Sequence, residues 1–354
     1  MSIPASLRRH LRLGLIMLLV TASWQATALI TVHAQAAPSS RWQQIVTENA
    51  PAPRHDHVLI AAGESGKLML FGGRTNNGTI YDDTWLFDVN VNAWREIMTA
   101  VAPQARFGAA AAWDTTRERI LLFAGQASGL FNDVWSFDLA TETWTRLETQ
   151  GTAPIARYGT SAVFDPQLDR LIISHGFAAG RFDDTFALDL KTSLWSDISP
   201  TIRPLKRCLH EAAYATSTGT MILFGGCSSG FGPCPQGDTW SFDLDSGVWT
   251  ELQTQGDSPA ARSNPALMAD SAGRVWLYGG RGAGGIFYGD LWWLDPLTGS
   301  WQLSESASDS APRPRSSHDA AWDSVRQQIV LFGGLGETGD LNDLWVYQAT
   351  ASEQ

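Results

Sequence analysis

Ile120-Leu121-Leu122-Phe123-Ala124-Gly125, then Asn132-Asp133-Val134-Trp135-Ser136-Phe137-Asp138, then Trp144, is one copy of a phrase that runs through this chain. A second copy reads Met221-Ile222-Leu223-Phe224-Gly225-Gly226, Asp238-Thr239-Trp240-Ser241-Phe242-Asp243 and Trp249. The same order returns at 68–73 with 83–88 and Trp94, at 171–176 with 184–189 and Trp195, and at 275–280 with 290–295 and Trp301. A last copy, 329–334 with 343–347, has no terminal Trp. Within each copy, short β-branched and aromatic runs alternate with Gly, Pro, Asp and Ser turns, the pattern of a small antiparallel sheet. We name its strands a to d. Strand a is rich in small residues (Ala109–Ala112), b ends at the glycine pair, c carries Asp and Trp, and d carries the last Trp. One four-stranded sheet leaves both faces uncovered, so the copies must stack, and radial stacking of such sheets makes a propeller.

Each copy is introduced by an arginine: Arg54, Arg106, Arg157, Arg207, Arg262 and Arg315. These are 50 to 55 residues apart, as are Asp83, Asp133, Asp184, Asp238, Asp290 and Asp343. A multi-part unit of this period resembles the Kelch repeat. The resemblance spans residues 41–347 and implies an all-β, six-bladed β-propeller of four-stranded antiparallel blades. Ala124 and His175 replace the first glycine of the pair, and Phe186 replaces the strand-c Trp. Arg41-Trp42-Gln43-Gln44-Ile45 stands ahead of the first copy and matches a strand d such as Trp144-Thr145-Arg146-Leu147. Trp42 is thus expected to supply the strand the last copy lacks, closing the ring and covering an otherwise open edge.

Arg8, Arg9 and Arg12, the apolar run 13–20 and Ala34-Gln35-Ala36 have the order of an export signal cut after Ala36. The expected organisation is a signal peptide over 1–36, a linker over 37–40, the propeller over 41–347 and a tail over 348–354, in an exported protein. The whole chain carries 25 basic and 36 acidic residues, net −11; losing three arginines with the signal leaves 22 against 36, or −14. A chain this acidic repels phosphate backbones, which argues against nucleic acid as partner. After the signal no apolar run reaches membrane-spanning length.

Strands a and c start at the same end of an up-and-down sheet, so the repeated Arg and Asp share one face with the d–a and b–c loops. Because they recur in every copy, they read as scaffold: buried, paired and alike. A ligand site needs asymmetry, which the b–c loops provide with Tyr81, Phe131, Phe177, Phe182, Phe231, Phe287 and Tyr288. Aromatics on loops at one rim suit a protein or a glycan. Three residues after the arginine stand His57, His210 and His318, with Glu211 and Asp319 following two of them. Such a set could bind metal or do acid–base work, or each His could simply meet a nearby carbonyl.

Galactose oxidase, a Kelch-like enzyme, holds copper on two Tyr and two His with one Tyr joined to Cys; no Tyr-His dipeptide occurs here, and no familiar catalytic motif stands out. No metal or cofactor is therefore expected. Cys208, Cys227 and Cys234 all lie in the fourth copy. Cys227–Cys234 would close a short b–c loop, and Cys208–Cys227 is the rival pairing. Asn77-Gly78-Thr79 matches a glycosylation acceptor. The function expected is a binding or scaffold module acting through the b–c and d–a loops. The alternative is a carbohydrate-active enzyme, an epimerase or oxidase, working at the channel mouth.

Overall fold

A computed structural model describes residues 41–228, 234–254 and 256–349. Six antiparallel sheets each hold four strands in a-b-c-d order; the third is extended by the short strands Gln150–Gly151, Arg207–Cys208 and Cys227–Ser228. Strand Trp42–Ile45 pairs antiparallel with Gly339–Gln348, Trp42 opposite Tyr347 and Ile45 opposite Leu344, in the sheet whose other strands are Gln328–Gly336 and Asp319–Asp323.

Strand b is buried on both faces in every sheet, as at Lys67–Phe71 and Val275–Tyr278, because each sheet is packed between two others. The strand-d tryptophans are the keys between sheets. Trp144 packs on Phe71 of the preceding sheet at 5.2 Å between ring centroids, Trp195 on Phe123 at 5.5 Å, Trp301 on Phe224 at 5.4 Å and Trp94 on Phe332 at 5.1 Å. Trp42 takes the same place on Tyr278 at 5.1 Å. In the third sheet Ser174 stands at this position of strand b, too small to fill the site, and Trp249 instead meets the His175 ring at 5.9 Å. Three of these indoles also donate to a strand-c threonine of the neighbouring sheet: Trp144 to Thr84, Trp249 to Thr185 and Trp301 to Thr239.

The inner strands a surround an axis. Two residues after each repeat arginine, one residue per sheet adopts positive φ: Asp56, Gly108, Gly159, Leu209, Asn264 and Ser317. Their backbones form a cycle in which Asp56 N–H donates to Ser317, Ser317 to Asn264, Asn264 to Leu209, Leu209 to Gly159, Gly159 to Gly108 and Gly108 back to Asp56, at 2.8–3.1 Å. A second stitch joins neighbouring sheets, since the later glycine of the pair donates to the carbonyl of the next repeat arginine, as Gly73 does to Arg106 and Gly334 to Arg54. The first position of the pair is crowded as well: a Cβ on Gly225 would press on the Arg262 carbonyl oxygen, and in the second and third sheets Ala124 and His175 take this place at the same positive φ.

Candidate functional site

The six repeat arginines are buried and alike. Each forms a two-pronged ion pair with the Asp of its own sheet: Arg54–Asp83, Arg106–Asp133, Arg157–Asp184, Arg207–Asp238, Arg262–Asp290 and Arg315–Asp343. Each also donates to the carbonyl ending strand b, Ala124 for Arg106 and Gly225 for Arg207, and to the carbonyl two residues back in its own loop. The Asp Oδ2 that takes the second guanidinium nitrogen also accepts the strand-c indole at Trp85, Trp135, Trp240, Trp292 and Trp345; Phe186 leaves Asp184 without one. Burial pushes the Asp133 carboxyl upward, but the hydrogen bonds and charge of Arg106 outweigh it and leave the group below its ordinary range; Asp238, Asp290 and Asp343 behave likewise.

Four of the loop aromatics lie against this scaffold. The guanidinium of Arg54 sits 4.0 Å from the Tyr81 ring centre, Arg106 4.0 Å from Phe131, Arg157 4.1 Å from Phe182 and Arg262 4.1 Å from Tyr288. These rings are half-buried, each stacked on the arginine beneath it. Phe287 is half-buried beside Arg281 at 5.3 Å. Phe231 lies outside the described residues. Cys227 and Cys234, which flank it, form a disulfide, while Cys208 is a buried free thiol opposite Cys227 in the neighbouring short strand. Asn77 is exposed.

The same face carries a row that the repeat pattern hides. Arg74 covers Phe107 at 4.0 Å, Phe107 meets Tyr158 at 6.1 Å, Tyr158 meets Phe177 at 5.6 Å, and Arg181 covers Phe177 at 5.6 Å. The row crosses the first three sheets. Phe107 and Tyr158 each directly follow a repeat arginine, where the other copies have His55, Cys208, Ser263 and Ser316. Two aromatics at matched positions of adjacent copies were the available signal. At one end Arg74 also donates to Asp56 at 2.9 Å, and His55 meets Asp340 at 2.7 Å.

The histidines and carboxylates of strand a have different neighbours. Successive residues of strand a face opposite sides. His57 turns to Phe332 at 5.6 Å, His318 to Tyr278 at 5.4 Å and His210 to His175 at 5.2 Å, each between two sheets. Burial lowers the pKa of all four imidazoles, His210 to about 3, and outweighs the opposing effect of backbone hydrogen bonds at Phe332 for His57, Pro204 for His175 and Tyr278 for His318. Glu211 and Asp319 face the axis instead. Burial raises Glu211 well above the carboxylate range, the charges of Asp319 and Asp56 adding to it, and raises Asp319 to about 7. Among the described residues no group of three or more His, Cys, Asp or Glu is placed to hold a metal ion, and no helix is long and apolar enough to cross a membrane.

A ring of repeat units built on stacked four-stranded sheets, with an Arg–Asp–Trp set in each, defines a Kelch-type propeller. The model of the KLHDC2/KLHL20/DRC7 Kelch-repeats domain matches residues 23–226 and 211–353, and the chain belongs to the Kelch-repeat family. Among curated proteins it is similar to Kelch domain-containing protein 3 of Homo sapiens, 26% identical over 336 residues, covering 86% of this chain and 85% of that protein. Kelch domain-containing protein 1 of Mus musculus is 26% identical over 340 residues, covering 83% of this chain and 80% of that protein. Adagio-like protein 3 of Oryza sativa subsp. japonica is 27% identical over 301 residues, 80% of this chain but 47% of that protein, so the chain spans about half the length of the adagio relatives.

Proposed function

We propose that this protein is an exported scaffold whose closed ring of six blades presents the b–c and d–a loop face to a protein partner. The observation that carries the proposal is the row Arg74–Phe107–Tyr158–Phe177–Arg181. Arginines and aromatics are the residues that dominate the energy of protein interfaces, and here they interlock on a rigid frame, so little side-chain entropy remains to be lost on binding. Repetition of the Arg–Asp pair in every sheet makes it frame; the row occurs once and so confers a direction on the face. Tyr81, Phe131, Phe182 and Tyr288, each braced by an arginine, extend the same surface. Export is supported by the signal-like order of residues 8–36 and by a disulfide between Cys227 and Cys234, a bond that persists in oxidising compartments.

A photo-crosslinking residue placed at Tyr158 in the native host tests this. We expect one dominant adduct with a second protein, lost in the Arg181→Ala background. Absence of any protein adduct, with binding on a glycan array instead, would replace the protein partner by a carbohydrate. Sequencing the N-terminus of the exported protein should find Ala37 first.

A further inference from the structure

The axis is shut at one end and open at the other. The cycle of six backbone hydrogen bonds through Asp56 and Ser317 closes it near the loop face. From there the inner strands run to the a–b turns on the opposite face, and between them lies a cavity of about 490 Å³. That volume falls within the range of small-molecule sites, roughly 300–1,000 Å³.

The wall has three levels, set by distance from the repeat arginine. Seven residues on, four sheets place an aromatic, Trp113, Phe164, Tyr214 and Trp322, and the other two Ala61 and Ala269. The middle is mostly small and apolar. Four residues on, near the closed end, stand Glu211 and Asp319 among Val58, Ala110, Ser161 and Ala266. Among the described residues no Lys, Arg or His lines the cavity. The repeat arginines are committed to their aspartates, and Arg274 to Asp270 of the wall.

The two acids differ in their partners. Asp319 accepts the N–H of Leu59 at 2.7 Å and of Ala320 at 2.8 Å. Glu211 is surrounded by protein, its side chain half-buried against the lumen, and forms no hydrogen bond or ion pair among the described residues. A carboxyl so placed, beside a second one in the same wall, favours a positive group as its partner.

We propose that the axial cavity binds an amphiphilic organic cation, its ammonium group at Glu211 and Asp319 and its apolar body against the aromatic collar of Trp113, Tyr214 and Trp322. Three residues of strand separate acids from collar, about 10 Å, which a chain of roughly eight carbons spans. Tyr214 and Trp113 are half-buried and open to the lumen, so they offer the body a surface to stack on. The ammonium draws both raised carboxyls down and ionises them, so binding near neutral pH releases protons. Other titratable groups facing this end are Asp56, His57 and His318, which line the narrow space between the acids and the closed end.

Calorimetric titration of the full chain with octylammonium, octanol and octanoate tests the proposal. The ammonium should bind about tenfold or more tighter than octanol, the scale of a hydrogen bond to a charged group, and octanoate should bind weakest. Heats in buffers of different ionisation enthalpy should show proton release for the ammonium alone. Glu211→Gln and Asp319→Asn should each weaken octylammonium by about tenfold and leave octanol within about twofold. Equal affinity for the three headgroups, no binding of the ammonium, or unchanged affinity in both variants would overturn it. The headgroup comparison on the unmodified protein decides the matter if a variant does not fold. Because the cavity opens on the face opposite the proposed partner surface, Tyr158→Ala should leave these titrations unchanged, and either proposal stands or falls without the other.

Discussion

Removing Asp133 isolates what one unit of the repeated frame contributes. The Arg106 guanidinium is 1% exposed and gives Asp133 two hydrogen bonds, at 2.7 and 3.0 Å. It keeps two carbonyl acceptors, Ala124 and Gln104, each at 3.0 Å, and the Phe131 ring at 4.0 Å. Asp133→Ala leaves the cation without its counter-charge, which for buried pairs costs about 3–5 kcal/mol. The carboxylate is 15% exposed, so water partly refills the gap and the lower end, about 3 kcal/mol, applies. The substitution also strips the acceptor from the Trp135 indole, bonded at 2.7 Å, adding about 1 kcal/mol. Asp184→Ala is the internal control: Arg157 is held in the same way, but Phe186 stands in place of the indole. The expected losses are therefore about 4 kcal/mol for Asp133→Ala and about 3 for Asp184→Ala, read from urea unfolding at constant m. In a Trp135→Phe background the cost of Asp133→Ala should fall to the Asp184→Ala value. A loss under about 1 kcal/mol for Asp133→Ala would mean that the carbonyls and ring alone satisfy Arg106, and the frame argument would be refuted. Equal losses at the two positions would remove the indole from it.

Beginning the chain after Ile45 strips Trp42 from its seat on Tyr278 and Tyr347 and bares the strand ending at Gln348; a lower melting temperature and aggregation are expected, and an unchanged melt would refute closure by this strand. Burial raises Asp319 from 3.8 to about 7, so its stabilising protonated form is fully present below pH 3.8 and is lost as pH rises through about 7. Asp319→Asn should therefore gain on the parent by at most about 4 kcal/mol between pH 4 and 8, and a pH-independent difference would contradict a raised carboxyl. His57, His175, His210 and His318 are lowered, so stability from their neutral form is held above pH 6.5 and falls below it, with His210 following down to about 3; proton uptake on acid unfolding, measured by potentiometry, should exceed that of a His210→Phe variant. Under non-reducing conditions Cys208 should resist alkylation until the chain unfolds, since it is buried and its thiol pKa is raised by that burial.

Much of the frame is written locally and six times over. An apolar run ending at glycines, an Asp before an aromatic strand and a Trp after it determine a four-stranded sheet, and the arginine spacing pairs each cation with the Asp of its own copy. Even the seat of Trp42 beside Tyr347 follows from counting tryptophans, because a strand d missing at one terminus and spare at the other has one partner. What the tertiary structure alone decided involves residues of different copies. The hydrogen-bonded cycle from Asp56 to Ser317 exists only when six inner strands meet around one axis. Glu211 and Asp319 lie 108 positions apart, and only the ring brings both to the wall of one axial cavity. Arg74, Phe107, Tyr158 and Phe177 likewise come from three copies, and only stacking of neighbouring sheets brings them into one row. A periodic sequence specifies what each unit contains; which side chains meet across units depends on the twist and closure of the ring.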